Sequence, residues 1–146
     1  MNPELVGRAF APTEPYQVGR ERVREFARAV FASSPVHHDP EAARQAGYRD
    51  VVAPTTFAVV MQEITLAQML AEPDSGIDFG RVVHGDQKFS FSRPIVAGDE
   101  LTARLAITSI KTLGTNSMVT FESTVRDADD AHVVTALSTI VVRGEE

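Results

Sequence analysis

His37, His38 and Asp39 stand in a row just after Pro35. Imidazole is the side chain whose charge changes near neutral pH, which suits such a group to general acid–base work. A metal site is the poorer reading, because consecutive residues rarely converge on one ion and no further ligand cluster accompanies these three. A histidine beside a proline turn is also an ordinary loop residue. The second group is Thr55-Thr56, at the head of a long apolar segment. Hydroxyls there cap a helix, and backbone N–H groups at a helix start can stabilise negative charge developing on an oxygen. The third is His84-Gly85-Asp86-Gln87, a polar turn before a strand whose side chains can hydrogen-bond a ligand. Cysteine is absent, which excludes disulfides, thiolate nucleophiles and cysteine-held zinc.

The elements that must position these groups follow from periodicity. The first fifteen residues are punctuated by prolines and read as an extended arm leading to a short strand at Tyr16-Gln17-Val18. Val23, Phe26, Ala27 and Val30 recur at helical spacing, with Glu21/Arg24 and Glu25/Arg28 placed to pair on the wet side. Ala32-Ser33-Ser34-Pro35 ends that helix. Asp39 and Pro40 then begin a second short one as N-cap and first residue, and Gly47 suits its end. Thr55 or Thr56 caps a longer helix running to about Leu70, apolar around most of its axis and therefore expected to be enclosed. From Gln87 the period is two. Leu101, Ala103, Leu105 and Ile107 mark one strand, and Val119, Phe121, Ser123 and Val125 another. His132 to Val142 is apolar on both faces and reads as central or interfacial. Turns at 97–99, 114–116 and 128–130 are expected to join antiparallel neighbours in a meander. The fold class is α+β: one domain, with an antiparallel sheet wrapped around a long helix.

The 146 residues and net charge of −6, with no run of Lys or Arg, argue against a nucleic-acid partner. Gln62, Glu63 and Gln68 interrupt the longest apolar stretch, so no membrane span is expected. The start, Met1-Asn2-Pro3-Glu4, has neither a basic stretch nor an apolar run. A cytoplasmic protein without metal or cofactor is the expectation.

Three stretches carry a family resemblance. The first is Ser34-Pro35-Val36-His37-His38-Asp39-Pro40-Glu41-Ala42-Ala43 followed by Ala46-Gly47-Tyr48. The second is Val52-Ala53-Pro54-Thr55-Thr56-Phe57. The third is Val83-His84-Gly85-Asp86-Gln87-Lys88-Phe89 with Arg93-Pro94-Ile95-Val96-Ala97-Gly98-Asp99. Together they resemble MaoC-like hydratases and, more closely, the FAS1-like dehydratase group of actinobacterial (3R)-hydroxyacyl-carrier-protein dehydratase subunits. The resemblance covers nearly the whole chain. It implies a hot-dog fold assembled as dimers whose sheets join edge to edge, often with one catalytic subunit and one that supplies much of the acyl tunnel.

That resemblance also implies site residues. The family's Asp-x-Asn-Pro-x-His segment places its catalytic His on His37, the expected base. Its Asp falls on Ala32 and its Asn on Ser34, so half of the acid–base pair is missing. The family's oxyanion glycine maps to Thr55, which makes the Thr55 and Thr56 N–H groups the expected oxyanion donors. His84 and Gln87 are expected to hydrogen-bond the thioester or its pantetheine arm. The implied function is that of a subunit of a (3R)-hydroxyacyl-thioester dehydratase or enoyl hydratase in fatty-acid or polyketide-type biosynthesis. It would bind an acyl-ACP or acyl-CoA thioester and pair with a catalytic hot-dog subunit as a heterodimer. The alternatives are a self-sufficient homodimer using His37 with another acid (Asp39, Glu63 or Asp86) and a non-catalytic acyl-thioester binding protein.

Overall fold

The structure, a computed structural model, describes residues 1–145. Its strands are β1 (Tyr16–Gln17), β2 (Val82–Phe91), β3 (Glu100–Leu113), β4 (Asn116–Arg126) and β5 (His132–Val142), and its helices are α1 (Arg20–Ala29), α2 (Pro40–Gln45) and α3 (Ala58–Ala71). They form one antiparallel sheet in the order β1-β3-β4-β5-β2, with α3 packed on one face.

The meander holds from β3 to β5 but not before it. β2 pairs with β5 rather than β3, so the turn at 97–99 crosses from one end of the sheet to the other instead of closing a hairpin. The expected centrality of β5 follows from the same order, since it lies between β4 and β2. Its inward residues Val134, Ala136, Ser138 and Ile140 are buried. At the His84/Asp86 irregularity, a Cβ on Gly85 would stand 3.1 Å from the Thr139 carbonyl oxygen, tighter than ordinary contact.

The N-terminal arm runs antiparallel along the edge of β3. Thr13 N–H donates to Ala103 O at 2.8 Å, and Ala103 N–H donates to the Thr13 hydroxyl at 2.9 Å. Leu5 and Phe10 go into the core. Arg8 clamps the arm through two hydrogen bonds to Asp74, and its guanidinium holds the Asp74 carboxyl down to about 2. The arm thus covers one sheet edge, leaving the ten residues of β2 as the edge that no described residue pairs along its outer side.

In α3 the stripe Ala58, Met61, Thr65 and Met69 is fully buried and Val60 and Gln62 are buried beside its start, while Glu63 and Ala67 are exposed and Val59, Leu66 and Leu70 are half-buried. The enclosure expected from composition is therefore one-sided, because one curved sheet covers one face. The core has two clusters, one around Phe57, Met61 and Val125 and the other around Leu5, Met69 and Phe121. A polar row divides them. The Thr65 and Ser123 hydroxyls lie 2.6 Å apart, and the amides of Gln62 and Gln87 exchange hydrogen bonds of 3.0 and 2.7 Å. Buried polar groups paired in this way fix one register of helix on sheet, since any slip leaves them unpartnered.

Candidate functional site

The site is built around the backbone of Val52. Residues 51–53 are extended, as the proline at 54 favours, and they pair with 95–97 through Ala53 N–H to Ile95 O (2.8 Å) and Ala97 N–H to Val51 O (3.0 Å). Val52 N–H donates to Val36 O at 2.9 Å, which brings in the 3-10 turn Pro35–His37. The Val52 carbonyl then stands 2.6 Å from His37 Nδ1. A carbonyl oxygen only accepts, so Nδ1 must carry the proton. In the neutral ring this leaves Nε2 as a free lone pair, the state a general base needs.

His37 opens on a cleft of about 610 Å³ whose polar wall residues are His37, Tyr48, Thr55, Ser92 and Arg93, set among Val52, Pro54, Phe91 and Ile95. Thr55 and Thr56 do not cap α3 with their hydroxyls; they begin a 3-10 turn, Thr55–Phe57, that runs straight into the helix. N–H groups at the start of such a turn have no acceptor within it, which is the property an oxyanion donor requires. Thr55 lines the cleft and Thr56 does not.

The remaining expected residues lie elsewhere. His84 and Gln87 are within β2, not ahead of it, and neither lines the cleft. From Phe91 back to His84 is roughly 20 Å along the strand at about 3.3 Å per residue. Gln87 is spent on Gln62 and on Leu137 O (3.2 Å), while His84 Nε2 lies 3.2 Å from the Ser138 hydroxyl. These are bonds that fasten β2 to α3 and β5. His38 is also structural here: its Nε2 donates to Ala32 O at 2.8 Å, and its own carbonyl accepts from Arg24 Nε at 2.9 Å.

No carboxylate lines the cleft among the described residues. Asp39 caps α2 by accepting from Glu41 N–H, Asp86 lies 3.7 Å from Lys88, and Glu63 is exposed on α3. Arg93 spends its guanidinium on Asp99 (2.8 and 3.1 Å) and Asp127 (3.1 Å). The hydrogen bonds to Asp99 foremost raise the Arg93 pKa. The Asp127 carboxyl is lowered first by the Ala131 N–H and then by Arg93. Arg93 is thus a fixed wall and not a free cation for a phosphate. Val52, Tyr48 and Ser92 were not singled out as site residues from the sequence. Val52 acts through its backbone, which residue type does not report, and Ser92 had only its place in an alternating pattern.

Ala32 is half-buried, does not line the cleft, and has its carbonyl engaged by His38. Ala32→Asp is therefore expected to leave the hydration rate of the isolated chain within about twofold, although a cleft lacking only a general acid would gain roughly 100-fold or more from one. A steady-state assay with crotonyl-CoA decides this, and a large gain would place residue 32 in the reacting site.

Three comparisons bear on this geometry. Residues 4–136 match the family model "FAS1-like, dehydratase domain region". A UPF0336 protein of Clavibacter michiganensis subsp. michiganensis is 64% identical over 146 residues, covering 100% of this chain and 98% of the relative. Among solved structures, the chain is similar to one in the C-terminally truncated HadBC (3R-hydroxyacyl-ACP dehydratase) complex of Mycobacterium tuberculosis. The TM-score is 0.82 and the identity 33%, covering 92% of this chain and 96% of that one. A MaoC-like dehydratase matches with TM-score 0.84 and 35% identity, over 95% of this chain and 42% of that one. The matched family, the helix laid on a curled antiparallel sheet and the near-complete overlap agree: the chain belongs to the FAS1-like dehydratase-domain family and has the hot-dog fold.

Proposed function

We propose that this chain is a subunit of a 3-hydroxyacyl-thioester dehydratase or enoyl hydratase. It binds the acyl thioester in the His37 cleft and pairs with a second hot-dog subunit that carries a complete Asp/His pair. The observation that carries this reading is the half-equipped cleft. His37, its Nδ1 held by Val52 O, and Thr55, at the start of the 3-10 turn, line it, and among the described residues no carboxylate does. Dehydration needs a base for the C2 proton, an acid for the leaving C3 hydroxyl and a donor for the enolate oxygen. On this reading His37 and the Thr55 N–H answer the first and third in the isolated chain, and the partner's pair handles both proton transfers in the complex.

Pairing has its own support. HadBC of Mycobacterium tuberculosis, to one chain of which this chain is similar, is a complex. In this chain β2 offers a ten-residue edge for a second sheet. Fatty-acid or polyketide-type chain building in the cytoplasm is the setting that fits such a subunit, with either an acyl-ACP or an acyl-CoA as ligand. Among the described residues no helix is long and apolar enough to cross a membrane.

The test is hydration of crotonyl-CoA and of a longer trans-2-enoyl-CoA by the purified chain, alone and mixed with a hot-dog protein carrying an intact Asp-x-Asn-Pro-x-His segment. Activity confined to the mixture supports the reading, and full activity of the chain alone overturns it. The second reading, a self-sufficient homodimer using His37, is favoured by one observation: the bond from Nδ1 to Val52 O leaves Nε2 free.

A further inference from the structure

One polar wall of the cleft has no part in the account above. Ser92, one residue past the end of β2, lines the cleft, and its Oγ lies 2.5 Å from His132 Nδ1 at the start of β5. His132 Nε2 lies 2.8 Å from the Thr135 hydroxyl. The strand ends are held in register beneath them, with Ser92 N–H donating to Val133 O at 2.8 Å. Both ring nitrogens of His132 are therefore engaged, the imidazole is fixed in orientation, and the Ser92 hydroxyl is held at the rim with hydrogen-bonding capacity to spare. A hydroxyl has one donor and two acceptor sites, and His132 uses only one of the three.

We infer that the Ser92–His132 pair is the element of this cleft that recognises the 3-hydroxyl of a hydroxyacyl thioester. The inference rests on the reading that the His37 cleft binds acyl thioesters. The polarity of the pair does not alter the outcome. If His132 Nδ1–H donates to Ser92, the Ser92 proton is free to donate to the oxygen on C3. If Ser92 donates to His132, its lone pairs accept from the C3 hydroxyl. A ligand hydroxyl satisfies either arrangement, whereas a saturated acyl chain satisfies neither and displaces water from Ser92 without replacing it. Ser92 would touch the ligand, and His132 would act through Ser92 as a positioning residue. The position on which the family's Asp falls, Ala32, lies off the cleft wall, so recognition of the hydroxyl passes to a side chain from the sheet.

The experiment is calorimetric titration of the chain with (R)-3-hydroxybutyryl-CoA and with butyryl-CoA, carried out in a His37→Ala background so that the hydroxy ligand is not turned over. The hydroxy ligand is expected to bind about tenfold more tightly, the equivalent of one net hydrogen bond. Adding Ser92→Ala should remove that preference, the two ligands then binding within about twofold of each other, and Ser92→Thr should keep it. His132→Gln should reduce the preference in the same way while butyryl-CoA still binds, which a general loss of structure would not allow. Equal affinity for the two ligands in the parent, or a preference untouched by Ser92→Ala, overturns the inference and leaves the thioester reading standing. Absence of binding by either ligand removes the thioester reading itself, and the inference with it.

Discussion

His37→Ala is expected to erase whatever hydration the isolated chain supports, a fall of roughly 10²–10⁴-fold, the range a general base contributes. The same substitution is expected to leave the rate of the chain mixed with a catalytic hot-dog partner within about twofold. The two halves of the expectation come from the same geometry. Val52 O fixes the proton on Nδ1 at 2.6 Å, so the alanine variant loses the imidazole that is held with Nε2 free in the cleft. In the mixture, the proposed chemistry belongs to the partner's own Asp/His pair, which is complete without His37. Steady-state rates with crotonyl-CoA, on protein whose circular dichroism is unchanged, check both. A fall in the mixture as well as alone would put the chemistry in this chain's cleft and favour the self-sufficient reading. A rate unchanged in both would remove His37 from the site.

The largest expected effect on stability lies in the core at the end of the 3-10 turn that begins with Thr55. Phe57→Ala is expected to lower the free energy of unfolding by about 3–5 kcal/mol, as large-to-small changes of buried aromatics do. Phe57 is fully buried, stands edge-on to Phe26 with ring centroids 5.3 Å apart, and belongs to the cluster that includes Met61, Val125 and Val134. It also closes the 3-10 turn that begins at Thr55, its N–H donating to Pro54 O at 2.9 Å, so the cavity would open beneath the proposed oxyanion donor. Phe31→Ala is the matching control. Phe31 is 91% exposed and is expected to move stability by less than about 0.5 kcal/mol. Urea titrations of the two variants should differ clearly in midpoint, and equal midpoints would mean that Phe57 does not anchor the start of the helix.

Much of the fold was legible from residue types alone because its causes are local. The alternation of Leu101, Ala103, Leu105 and Ile107 does face the core, as does that of Val119, Phe121, Ser123 and Val125. Asp39 and Pro40 start α2 as their capping chemistry requires, and Gly47 ends it at φ +96°. Glu21 and Arg24 pair on α1, as three-residue spacing allows. The family was legible because its motifs are contiguous in the chain, and His37 was found on one of them.

What the chain did not disclose depends on contacts between distant segments. Periodicity says that β2 is a strand but not that it pairs with β5, since a strand's alternation is the same whichever neighbour it has. His84, Gln87 and Ser92 occupy one short stretch, yet an extended strand carries its ends far apart, so only Ser92 reaches the cleft. Gln87 looks like a ligand-binding amide until Gln62, 25 residues away in the chain, satisfies it. His37 is held with Nε2 free only through the carbonyl of Val52, and Ser92 gains His132 only where the ends of β2 and β5 meet. The sequence by itself determined the elements, the family and one imidazole. The tertiary structure decided which polar groups are used up holding the sheet to the helix and which remain free to meet a ligand, because hydrogen-bond satisfaction belongs to pairs of residues and not to either one alone.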